Sequence, residues 1–241
     1  MRYIWFIVLL LVVACCDDPS RPPGPTELYP GGIITFTFDD GLRAVYDRAV
    51  PIFKEFDMPA TVYVITGMID SAGYMTNDEL HELSANGWEI GSHTVTHPHL
   101  SLEPDSVIAW ELRCSREQLS IRGHVAKSFA TPYGDFDERV KRLASEVYET
   151  NRNTQIGHND IGFDPYDLKI VASLHDNPKY LKSLVDSVAV WGTWGIFYGH
   201  RIGTLVEIKD HGLRSLLAHA DTTGVKVLTV RRAMEALKQR R

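Results

Sequence analysis

Two adjacent carboxylates, Asp39 and Asp40, close the stretch I-I-T-F-T-F-D-D-G at residues 33–41. Neighbouring carboxylates repel, but near a cation they can divide the work: one binds it and the other takes up a proton. His93 and His97 stand four residues apart in S-H-T-V-T-H-P-H. On a tightly wound turn that spacing puts both imidazoles on one face, where they can grip a single metal ion. One carboxylate and two imidazoles leave positions open for water and substrate, the catalytic form of a zinc site. His99 reads as a neighbour of this group, because three protein ligands usually suffice. Asp-Asp-Gly is ordinary turn chemistry and a lone H-x-x-x-H is weak, so the weight rests on their combination. Two further groups belong with them. The turn T-P-Y-G at residues 131–134 can aim the Tyr133 N–H into a pocket. His200 ends the apolar run I-F-Y-G at the strand end, where a histidine is a candidate general acid.

These groups need elements to position them. Residues 33–38 alternate as a strand does, with Ile34, Phe36 and Phe38 on one face and Thr35 and Thr37 on the other. Gly41 permits a sharp exit, so the carboxylates arrive at the mouth of a sheet or barrel. Strand and helix signals then alternate. Helices are expected at residues 43–56, after the capping box Thr76-Asn77-Asp78-Glu79 as far as Gly87, and at 104–121. Four more are expected at 136–147 (opened by Asp135), 178–190, 213–220 and 231–238. Strands are expected at 60–66, 88–94, 125–130, 168–173, 195–198 and 225–230. The polar stretch 151–165 reads as an irregular loop. This order predicts an α/β fold, a distorted (β/α) barrel of seven or eight units in a single domain over residues 31–241.

The chain begins differently. Residues 3–14 form an apolar run behind Arg2, too short for a bilayer span of about 20 residues. Its end, Val12-Val13-Ala14-Cys15, resembles the lipobox of bacterial lipoproteins. Residues 1–14 are therefore expected to be a signal peptide and Cys15 the lipidated residue. Residues 15–30 follow as a tether, with five prolines between positions 17 and 30. The expected location is the cell envelope, on a membrane. The folded part holds one cysteine, Cys114, so no disulfide framework is expected within it. A net charge of −6 without a basic run argues against nucleic acid as a partner. The chain is expected to be a monomer.

Thr37-Phe38-Asp39-Asp40, His93-x-x-x-His97, Pro132-Tyr133-Gly134 and a late strand ending in His200, in this order, are similar to the NodB-homology polysaccharide deacetylases, carbohydrate esterase family four. The resemblance spans about residues 31–240. It implies a distorted barrel, a divalent metal (usually zinc), and an N-acetylated glycan as substrate. Carried over by position, it makes Asp40, His93 and His97 metal ligands, Asp39 the general base and His200 the general acid. It makes the Tyr133 N–H a donor to the oxyanion, and places Pro132, Tyr133 and Tyr198 at the substrate. There are three departures. The family's arginine near the fourth strand is Ala130 here, and Lys169 is the expected replacement that orients Asp39. The family's Asp-Trp motif is not recognisable, leaving Asp164 or Asp167 as candidates to partner His200. Tyr198 stands where a leucine usually lines the acetyl pocket. Two alternatives stay open: a non-catalytic glycan-binding protein on the same scaffold, and an esterase acting on O-acetyl groups of the xylan type. Trp191, Trp194, Tyr74 and Phe136 are candidates either for sugar stacking or for the core.

Overall fold

The computed structural model describes residues 29–203 and 208–239. The signal-like run, Cys15 and the tether as far as residue 28 lie outside the described residues. No helix among the described residues is long and apolar enough to cross a membrane.

The order of elements is β1 (Ile33–Phe38), α1 (Arg43–Glu55), β2 (Thr61–Val64), α2 (Asn77–Ala85), β3 (Glu89–Ser92), α3 (Asp105–Ile121), β4 (Ser128–Ala130) and α4 (Glu138–Ser145). It continues with β5 (Thr150–Ile156), β6 (Leu168–Ile170), β7 (Ala172–Ser173), α5 (Pro178–Trp191), β8 (Trp194–Gly199), α6 (Asp210–Thr223), β9 (Lys226–Val227) and α7 (Val230–Lys238). The strands pair in parallel in the order β6-β5-β4-β3-β2-β1-β8-β7, with β9 beside the start of β1. β6 pairs with β5 and β7 with β8, and only Val171 separates the two strands. Residues 168–173, expected as one strand, thus serve both edges, and the sheet nearly closes into a barrel.

Alternation on β1 sorts its residues as expected. Ile34, Phe36 and Phe38 face the helices, where Phe36 meets Phe53 at 5.4 Å and Phe38 stacks on Trp88 at 6.0 Å between ring centres. Ile33, Thr35 and Thr37 face the barrel interior. There Ile33 packs with Tyr63, Trp194 and Ile196, and α7 closes that end. Trp194 is fully buried and donates to Thr35 Oγ1 at 2.9 Å, so it is core and not a sugar platform. Trp191 is exposed, but it adjoins Gly192, where the chain enters the fold through the bond from Tyr29 N, away from the strand ends that carry Asp39 and His200. Gly91 is required inside the barrel, because a Cβ there would lie 2.5 Å from the Tyr63 ring.

Two expectations are corrected. The first part of the stretch expected as a loop, residues 151–156, belongs to β5, whose sequence T-N-R-N-T-Q-I is polar yet buried over its first four residues. The fourth helix is opened by Asp137, whose side chain accepts from Arg139 N and Val140 N, and not by Asp135. The capping box on α2 forms as expected, with reciprocal bonds of 2.8 and 3.2 Å between Thr76 and Glu79.

Asn159 fills the seam that β6 and β8 leave. Its side chain bonds the N–H and the carbonyl of Lys169, each at 2.9 Å, while its main chain exchanges two 3.0 Å bonds with Trp194. Asn159→Ala is expected to cost about 1–3 kcal/mol, because it strands buried backbone groups. Urea unfolding measures this, and a loss below about 0.5 kcal/mol would show that water replaces the side chain.

Candidate active site

The face of β1 that carries Ile33, Thr35 and Thr37 into the barrel also carries Asp39. Asp39 donates its backbone N–H to Gly199 O of β8 at 2.9 Å, and its side chain is buried. Asp40 then turns through a left-handed conformation (φ 71°), followed by Gly41 (φ 73°). A side chain at Gly41 would strike Val64 at 2.9 Å, so only glycine fits this exit. The turn separates two neighbouring carboxylates, one lying in the barrel and one at its mouth.

At the mouth, Asp40 meets the two histidines after β3. Asp40 Oδ1 lies 3.7 Å from His93 Nε2 and 3.5 Å from His97 Nε2, and the two Nε2 atoms are 3.2 Å apart. His93 Nδ1 lies 2.7 Å from the Ala130 carbonyl, so Nδ1 carries the proton and Nε2 is left as the free donor atom. Burial pushes the His93 pKa down to about 4 and lowers that of His97, so both are neutral at ordinary pH, the form that ligates. These three donor atoms lie close enough together to share one ion. Among the described residues, Asp40, His93 and His97 are the group of side chains that can hold a metal.

Asp39 faces a different partner. Arg152 Nη2 contacts both of its carboxylate oxygens at 2.5 Å, and the guanidinium is fully buried. The guanidinium lies between two rings, 5.5 Å from the centre of Tyr63 and 5.3 Å from that of Tyr198. Burial alone would raise the Asp39 pKa. The Arg152 charge, with His93 and His200, outweighs it and holds the carboxyl below its ordinary value.

Arg152 therefore takes the role expected of Lys169. Leu168 and Ile170 occupy the inward positions of β6, so Lys169 points outward, its chain lying against Gly157. Sequence reasoning missed Arg152 because β5 is too polar to read as a strand. The available signal was parity, since Arg152 pairs in register with Ala130, where the arginine was sought. The guanidinium stands one strand along from the position where it was sought, and points inward.

His200 follows β8, whose register sets Gly199 beside Phe38, so Asp39 and His200 are the next residues after two adjacent strand ends. The Tyr198 ring, half-buried, lies 5.7 Å from the His200 ring, and His175 stacks beyond it at 6.1 Å. Neither expected partner of His200 is in place: Asp164 pairs with Lys141 at 2.5 Å, and Asp167 accepts from Asn153. Tyr133 adopts a left-handed conformation (φ 60°) between Pro132 and Gly134. Its exposed ring lies 4.5 Å from His97 and stacks on His99 at 3.8 Å. His99 in turn contacts Asp135 at 3.2 Å and stays outside the metal group. Gly134 packs against Thr154 of β5, where a Cβ would have no room.

Residues 29–149 match the sequence model of the family described as polysaccharide deacetylase, about half of the chain. The match stops just before β5 and Arg152. The poly-beta-1,6-N-acetyl-D-glucosamine N-deacetylase of Staphylococcus aureus is 29% identical over 121 residues, covering 44% of this chain and 42% of that protein. Chitin deacetylase 1 of Cryptococcus neoformans is 25% identical over 136 residues, covering 55% and 27%. The chain spans less than half the length of these curated relatives. Among solved structures, the Streptococcus pyogenes deacetylase PplD in complex with acetate is 28% identical, with a TM-score of 0.54 over 56% of this chain and 62% of that one. Peptidoglycan deacetylase PdaC of Bacillus subtilis shares the fold over 87% of this chain and 93% of its own, with a TM-score of 0.59 at 16% identity.

Proposed function

Because the chain belongs to the polysaccharide deacetylase family, we propose that it hydrolyses N-acetyl groups of a polysaccharide or oligosaccharide with a divalent metal held by Asp40, His93 and His97. The observation that carries this reading is the juxtaposition of that three-residue group with a buried Asp39 clamped by Arg152. Zinc suits two neutral imidazoles and one carboxylate. When bound, the metal supplies Lewis-acid activation of water and of the amide carbonyl.

The remaining chemistry belongs to the chain. Asp39 accepts the proton of the attacking water, and Arg152 keeps it ionised and fixed in direction. The Tyr133 N–H donates to the developing oxyanion, a contribution of about 3–4 kcal/mol for one good donor. His200, just after the strand beside β1, gives its proton to the departing sugar amine. The base must start ionised and the acid protonated, and Arg152, in contact with Asp39, favours the ionised base. Tyr198 closes over Arg152 and lines the place for the acetyl group.

A catalytically silent glycan binder was suggested by Ala130 and by the missing Asp-Trp motif; Arg152 beside Asp39 answers the first motive, and turnover by the unmutated protein decides the second. We place the enzyme on a membrane of the cell envelope, as a monomer held by lipid on Cys15. The apolar run at residues 3–14 and the proline-rich tether support this location.

Acetate release from chitin oligomers, peptidoglycan and poly-N-acetylglucosamine tests the reading, with acetylated xylan as the ester comparison. Release from at least one amide substrate is expected, abolished by a chelator and restored by zinc. Release from xylan alone would make it an esterase, and no release by the zinc-loaded protein would overturn deacetylation.

A further inference from the structure

The turn between the two histidines carries more restraint than a surface loop needs. Thr94 and His97 both have left-handed backbones (φ 69° and 63°), conformations that non-glycine residues avoid without support. On one side, the Thr94 and Val95 carbonyls accept from Thr66 N and Gly67 N, each at 3.0 Å. Gly67 has to be glycine, because a Cβ there would lie 2.6 Å from the Val95 carbonyl oxygen. On the other side stands Glu111, from the middle of α3. Its Oε2 accepts from Val95 N at 2.7 Å and Thr96 N at 3.1 Å, and its Oε1 accepts from the Thr96 hydroxyl. Glu111 is 2% exposed. The His97 N–H closes the turn onto Thr94 Oγ1 at 2.9 Å.

A buried carboxylate on a helix costs desolvation unless its oxygens are filled. Here they are filled by two backbone N–H groups and one hydroxyl, all from Val95 and Thr96 between the two ligands. We propose that Glu111 is a positioning residue for the metal: it fixes the turn that sets the separation of His93 and His97, and so sets metal affinity. The proposal rests on the reading of Asp40, His93 and His97 as metal ligands. Without Glu111, the buried Val95 N–H and the partly buried Thr96 N–H lose their acceptor and the turn relaxes toward ordinary backbone angles. His97, the ligand at its far end, moves most. His93 stays, held by the Ala130 carbonyl and by its own N–H to Val64 O at 2.9 Å.

The test uses the full chain and two readouts: zinc affinity by competition with a chromogenic chelator, and amide hydrogen exchange of the metal-free protein. Glu111→Ala is expected to weaken zinc about 10–100-fold, and to speed exchange at Val95 and Thr96 while β1 and β8 remain protected. Glu111→Gln is expected to recover at least tenfold of that loss. Its amide oxygen can accept from both N–H groups while its NH₂ donates to Thr96 Oγ1. If Glu111→Ala does not fold, Glu111→Asp, one methylene too short to reach the turn, serves in its place with the same expected weakening. Wild-type zinc affinity in the shortened variant, or failure of Glu111→Gln to recover affinity, overturns the proposal. A wild-type protein that binds no zinc overturns the metal-site reading instead, and the exchange data separate that result from a failure of Glu111 alone.

Discussion

Asp39→Asn is expected to lower turnover by about 10²–10⁴-fold, the range for removing a positioned general base, and to leave zinc affinity within a few-fold of wild type. The division follows from the turn at Asp40. Asp39 lies within the barrel, in contact with Arg152, whereas the carboxylate that approaches the histidine Nε2 atoms belongs to Asp40. Asparagine keeps the shape and one acceptor for Arg152 but cannot take up a proton. Turnover on an N-acetylated oligosaccharide and zinc competition read the two effects separately. Asp40→Asn is expected to fail in both. If Asp39→Asn loses zinc as severely as Asp40→Asn does, the roles of the two carboxylates are misassigned.

Arg152→Met has the second large effect, this time on the fold. Removing one partner of a buried ion pair costs about 3–5 kcal/mol, since it leaves the other charge without compensation. The sign with pH follows from Asp39, whose folded pKa lies below its ordinary value. In the wild type, the pair's contribution is fully present above the unfolded carboxyl pKa and disappears as pH falls through the lower folded value. In Arg152→Met burial acts on Asp39 without the guanidinium, so its carboxyl pKa rises and protonation relieves the cost. The gap between variant and wild type should therefore be widest near neutral pH and narrow on acidification, measured by urea unfolding of the metal-free protein. A gap that stays constant with pH would mean that packing between Tyr63 and Tyr198, and not charge, accounts for the loss. Arg152→Lys should recover only part, because an ammonium neither forks onto a carboxylate nor stacks between two rings.

The parts legible in the sequence are those where one local rule dominates. β1 alternates strictly, so its parity delivered Asp39 to the barrel interior and the turn at Asp40 and Gly41 to its mouth. The capping box at Thr76 and the spacing of His93 and His97 are equally local, and both hold in the structure. β5 was not legible. Its inward Arg152 faces Asp39 between two tyrosine rings in the barrel, so the strand carries no apolar signature. Arg152 was hidden with it, and Lys169 drew attention because a lysine inside an apolar strand stands out, although its parity points it outward. The segment 168–173 looked like one strand because nothing in L-K-I-V-A-S reveals that its halves pair with different neighbours. Glu111 was hidden for another reason. A single glutamate within an amphipathic helix reads as a surface residue, and only the position of the histidine turn above it shows otherwise.

The central claim is that Asp40, His93 and His97 hold the ion while Asp39 stays out of the coordination sphere. A crystal structure of the zinc-loaded protein, with the ion located by anomalous scattering, tests it most directly. The account predicts zinc at about 2.0–2.1 Å from an Asp40 oxygen and from Nε2 of both histidines, with Asp39 still bonded to Arg152. Zinc bound through Asp39, or at a place that excludes either histidine, would contradict it.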